Sequence, residues 1–164
     1  VAPLPFYFFW KEFKKKSNIN FKKNLLVLPN NIRHNSEINE EIKNLKSYFD
    51  YIESYKNDFE NIYISIPYDE FKNQFYKDLV KKYNFDIIQG VSPFDQNGYL
   101  RVLNIFDNFD TITAQGIGSH FIYAQIMKKK ISMCGPLTPP KMISSKFYLD
   151  PKIMNRVFIH LTTK

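Results

Sequence analysis

Short apolar runs alternate with amphipathic stretches along this chain, and that alternation restricts the fold more than any other feature. The first run, Asn24-Leu25-Leu26-Val27-Leu28, is continuous rather than alternating, as in a strand buried on both faces. Strand-like runs follow at Asn61–Pro67, residues 85–89, Thr111–Ala114 and Ile131–Cys134. Between them lie stretches with helical spacing. Ile38, Ile42, Leu45, Phe49 and Ile52 form one apolar stripe, with Asn35 or Ser36 as its cap. Asp69 is placed to cap a second helix with Phe71, Phe75, Leu79 and Tyr83 on one face. Tyr99 to Phe109 forms a third, with Leu100, Val102, Leu103 and Phe106 inward, and Ser119 to Lys129 a fourth. Strand–helix alternation of this kind predicts an α/β fold, a Rossmann-like parallel sheet with helices on both faces.

The flanks are less regular. Residues 1–20 form an aromatic and basic segment, read as a linker or interface, and residues 21–164 form the Rossmann-like domain. Within the first segment, residues 6–16 suit a short helix with Phe6, Phe9, Trp10 and Phe13 on one side. Past the last strand, Pro136, Pro139 and Pro140 break the chain, with a helix expected around 151–156 and a strand at Val157–Leu161. His160 reads as a core or interface residue there, and both ends read as cuts through something larger.

Charge narrows the partners. A net charge of +7 draws the chain toward anions: nucleic acid, acidic membrane surfaces or phosphorylated substrates. No nucleic-acid module appears in the pattern, so nucleic acid is not expected. The lysine clusters 14–16, 22–23, 81–82 and 128–130 are short and suit solvated faces and helix C-termini, with peripheral membrane association as the further option. Cys134 is the single cysteine, which excludes an intrachain disulfide and suits the cytoplasm. No run reaches the length of a membrane span, and Val1–Trp10 lacks the features of a signal peptide.

The chemistry concentrates at Gly116-Ile117-Gly118-Ser119-His120, between a strand and a helix. Gly116 and Gly118 permit positive φ and close approach of a ligand to the backbone. Ser119 is read as a cap and phosphate donor, and His120 as a partner for a phosphate or ribose hydroxyl. A helix start of this kind offers unpaired N–H groups and a positive dipole end to an anion. The plain alternative is an ordinary strand-to-helix turn. Position 121 is Phe, so the full dinucleotide fingerprint is missing, and no Gly-Lys-Ser or Gly-Lys-Thr marks a P-loop.

Two other loops fall at the same strand ends. Pro29-Asn30-Asn31-Ile32-Arg33-His34 follows the first strand. Arg33 and His34 suit an anionic donor or acceptor, His34 as an acid or base; the alternative is a polar surface loop. Asp95, in Asp95-Gln96-Asn97-Gly98, is a candidate carboxylate for acid/base work or simply a turn closer. Asp107 and Asp110 lack the Asp-x-Asp spacing of a metal-dependent transferase, and no metal or cofactor is expected.

The pattern Phe109-Asp110-Thr111-Ile112-Thr113, Gly118-Ser119-His120, Tyr123-Ala124, Lys129-Lys130-Ile131-Ser132 and Gly135-Pro136 resembles the donor-binding, C-terminal half of bacterial GT-B glycosyltransferases of capsule and lipopolysaccharide assembly. The likeness spans about residues 85–137 and departs at Lys129-Lys130, where Gly-Lys is commoner. It implies a nucleotide-sugar donor, a glycan acceptor and, within the class, sialyltransferase-type chemistry as one option. It also implies that Gly118, Ser119 and His120 meet the donor phosphate, with Thr113 facing the site from the preceding strand. Asn30, Asn31 and Arg33 then stand where the first loop of such a half touches the nucleotide, while Tyr123 packs. Competing readings are a nucleotide-sugar epimerase on the same fold and a non-catalytic module of envelope assembly.

Overall fold

The computed structural model describes residues 5–14, 23–30, 38–92 and 94–135. Ten main elements alternate along the chain: α1 (Pro5–Lys14), β1 (Asn24–Leu28), α2 (Ile38–Glu53), β2 (Asn61–Ile66), α3 (Gln74–Lys82), β3 (Asp86–Gln89), α4 (Gly98–Asp107), β4 (Thr111–Ala114), α5 (Ser119–Ile126) and β5 (Lys130–Met133). The five strands form one sheet in the order β3-β2-β1-β4-β5, and every pairing is parallel. This is the expected α/β architecture. The helix caps assigned to Asn35 and Ser36, and the expectations for residues 136–164, including Pro136 and His160, lie outside the described residues.

β1 sits at the centre, which explains its uninterrupted apolar sequence. Leu25, Leu26 and Val27 are at most 3% exposed, because helices cover the sheet on both sides. Leu25 and Val27 face α2 and α3, packing with Ile62, Ile64 and Ile66 of β2, Leu45, Tyr48, Phe49 and Ile52 of α2, and Tyr76, Leu79 and Val80 of α3. Leu26 and Ile112 face the other way, toward Phe6 of α1, Leu103 and Phe106 of α4 and Ala124 of α5. The polar residues opening β1 and β2 answer each other: Asn61 Nδ2 donates to Asn24 Oδ1 at 3.1 Å.

Three helices differ in detail from the periodic reading. Asn73, not Asp69, caps α3, its Oδ1 accepting from Phe75 N–H at 3.1 Å. Starting the helix at Gln74 turns Tyr76, Leu79 and Val80 inward and leaves Phe75 40% exposed. Asp69 instead falls in a short 3₁₀ turn, Tyr68–Glu70. Leu100 of α4 is likewise exposed. In α1, Phe6, Trp10 and Phe13 face the protein, one helical face at spacings of four and three, while Phe9 lies at the rim. Phe6 is buried, stacked on Tyr123 at 4.0 Å between ring centroids and edge-on to Tyr99 at 6.0 Å. Residues 5–14 therefore belong to the packed layer beside α4 and α5.

Candidate functional site

In open parallel sheets, ligands bind beyond the carboxyl ends of the strands, where neighbouring strands send their chains in opposite directions. Here that point is between β1, which continues toward β2, and β4, which continues toward β5. The residues leaving the two strands are Pro29-Asn30 and Gln115-Gly116. They are tied together: Gln115 N–H donates to Leu28 C=O at 3.1 Å, and Gln115 Oε1 accepts from Asn30 N–H at 3.1 Å. Gln115 is 3% exposed, so its amide is part of the scaffold that holds the two strand ends in register. The sequence marks it only as the first polar residue beyond an apolar strand.

Gly116 and Gly118 leave space here rather than serving backbone handedness. Among the described glycines only Gly135 has positive φ, and Gly118 is extended at φ −163°. A Cβ at Gly116 would come within 2.8 Å of Asn30 Oδ1, and one at Gly118 within 2.7 Å of His120 Cε1. The expectation of positive φ is thus corrected, while close approach stands: the exposed Asn30 amide rests on the bare backbone of Gly116.

α5 begins at this junction. Gly118 is its N-cap and offers no side chain to the first turn. Ser119 is the first helical residue rather than the cap, and is exposed. Phe121 N–H turns back to Gly118 C=O at 3.1 Å. The first helical turn thus starts beyond the carboxyl end of β4 with Ser119 exposed, and a helix start there is a position that suits an anion.

His120 folds back over the turn, its Nε2 2.9 Å from Gly116 C=O. A carbonyl can only accept, so Nε2 carries the proton and Nδ1 is the acceptor. Burial holds the imidazole pKa below the ordinary 6.5, partly opposed by the Gly116 hydrogen bond. His120 thus latches the turn in neutral form, and its remaining acceptor nitrogen does not suit a phosphate oxygen. The sign follows from the depressed pKa. Well above pH 6.5 both folded and unfolded imidazoles are neutral. As the pH falls through that value the unfolded form binds protons first, and stability declines down to the folded pKa. An NMR titration of His120 should give a midpoint below 6.5, and His120→Gln should flatten this part of the stability–pH profile.

Other candidates lie elsewhere. Thr113 is 3% exposed, and its Oγ1 contacts Cys134 Sγ at 2.7 Å on the α2 side of the sheet rather than facing the glycine turn. Asp95 closes a turn: Oδ1 accepts from Asn97 N–H at 2.9 Å, and Oδ2 pairs with Arg101 Nε at 2.6 Å. It follows β3, which β2 and β1 separate from β4. Asn31, Arg33 and His34 lie outside the described residues. Among those described, no group of three or more His, Cys, Asp or Glu is placed to hold a metal ion, and no helix is long and apolar enough to cross a membrane.

Comparison with known proteins adds no relative: no family profile, curated protein or solved structure matches the chain.

Proposed function

We propose that this chain is the nucleotide-sugar-binding half of a GT-B-type glycosyltransferase, transferring a sugar to a surface glycan. The observation that supports this most is positional: the glycine turn opens α5 at the reversal point between β1 and β4. The donor's phosphate lies across Gly116 and Gly118 against the amides of the first turn of α5. The exposed Asn30 amide and Ser119 hydroxyl are its side-chain partners. Fixed N–H donors and the helix end stabilise charge as the nucleotide phosphate departs. His120 keeps the turn in shape by bonding Gly116, and is a positioning residue.

Ser119→Pro tests this directly. Proline is well tolerated at the first helical position, and the preceding residue is already extended. The substitution removes one N–H and the hydroxyl while preserving the helix. The unmodified chain should be stabilised by one of CMP, UDP or GDP, or their sugar conjugates. At 100 times Kd the gain is about 2.7 kcal/mol, or roughly 5 °C or more in Tm for a chain of this size. Ser119→Pro should lose most of that shift with its ligand-free Tm nearly unchanged. No shift with any nucleotide, or an equal shift in the variant, would refute the phosphate site.

A further inference from the structure

The outward side of α1 is chemically unlike the solvent-facing side of an ordinary surface helix. Where polar residues are expected it carries Tyr7, Phe8 and Phe9, exposed by 37%, 57% and 41%. The rings form two pairs: Tyr7 lies 6.4 Å from Phe8, and Phe9 lies 5.7 Å from Tyr99 of α4, itself exposed. Phe6, stacked on Tyr123, anchors the helix beneath them, so the outer rings are displayed by a docked element. One lysine borders the rings and the sequence adds others at the helix end. Lys11 Nζ lies 4.7 Å from the centre of the Tyr7 ring, Lys14 ends the helix, and Lys15 and Lys16 follow in sequence.

We infer that this face docks on an anionic lipid bilayer. Charge complementarity selects that occupant. The helix and the two lysines after it carry Lys11, Lys14, Lys15 and Lys16 against a single acidic residue, Glu12, on a chain of net charge +7. Exposed aromatic rings with lysines on the same segment match the two zones of a membrane surface, acyl boundary and acidic headgroups. With ten residues, α1 lies along the surface rather than crossing it. The inference is separate from nucleotide binding, because its residues are not those of the glycine turn.

The full chain is mixed with vesicles of phosphatidylcholine, alone or with phosphatidylglycerol, and sedimented. The expected result is at least tenfold tighter partition to the phosphatidylglycerol vesicles, weakening with salt. Phe8→Ser with Phe9→Ser should lower that partition about tenfold without changing Tm, and Lys14→Gln with Lys15→Gln should remove most of the preference for acidic lipid. The inference is overturned by absence of binding, by equal partition to both vesicle types, or by undiminished binding of the aromatic variant, which would assign the attraction to lysines elsewhere. A concentration-dependent dimer that the aromatic variant disperses, without vesicle binding, would also overturn it and make this face a contact between copies.

Discussion

Lys129→Met is expected to destabilise the protein by about 3–5 kcal/mol, the cost of leaving a buried charge without its partner. Lys129 and Asp107 side chains are only 5% and 4% exposed. Lys129 Nζ donates to the Asp107 carbonyl at 3.1 Å and stands 3.7 Å from its Oδ1. Asp107 Oδ2 has no hydrogen-bond partner among the described residues, and the Lys129 ammonium is the cation beside this carboxylate. Burial lowers the pKa of Lys129, and the charges of Asp107 and Asp110 act in the opposite direction. Methionine fills much the same volume but supplies no charge. In thermal unfolding the loss corresponds to a drop in Tm of roughly 10 °C. Asp107→Leu combined with Lys129→Met removes both charges and should recover most of the loss, a coupling that a double-mutant cycle measures directly. If the single substitution costs under about 1 kcal/mol, the pair is not dry.

Gly135→Ala should cost about 3 kcal/mol, the sum of backbone strain and displaced packing. Gly135 follows β5 with φ at +86°, in the region L side chains rarely adopt. A Cβ there would also fall inside contact distance of Tyr48 Cδ2. Tyr48 cannot easily yield, because its ring is fully buried between α2 and the sheet. A companion substitution separates ring from hydroxyl. Tyr48 Oη sits near Thr113 and Cys134, yet the hydrogen-bond geometry belongs to the Thr113–Cys134 pair, and among the described residues the phenol has no hydrogen-bond partner. Burial accordingly raises its pKa well above 10.0. Tyr48→Phe should therefore be neutral or slightly stabilising, since it deletes a buried donor that gains nothing. Urea unfolding of both variants checks the contrast. A strongly destabilised Tyr48→Phe would show that the hydroxyl does have a partner.

The glycine turn illustrates what could be read in advance and what could not. Its place between strand and helix follows from local pattern, and α5 does start at Ser119. By residue type the glycines permit both positive φ and close approach to the backbone. In the fold they make room for Asn30 and His120, neighbours that only tertiary packing and the turn's own closure bring there. Thr113 shows the same divide: strand periodicity sends it to one of two faces, but only the sheet's setting reveals that face to be the side of Tyr48 and Cys134. In sequence Asp107 draws notice only as a carboxylate without metal-site spacing, because nothing near it announces a buried lysine twenty-two residues later.

Read along the chain, residues 24–133 establish the number and kind of their elements, because strand and helix periodicities are carried by residues a few positions apart. The class of fold follows, since alternating strands and helices bury both sheet faces best with parallel strands. Strand order, the meeting of Asn30 with Gly116, the burial of Lys129 on Asp107 and the outward turn of Phe9 are decided only in three dimensions. Each depends on contacts between distant segments, where burial and the pairing of polar groups, rather than local preference, select the arrangement.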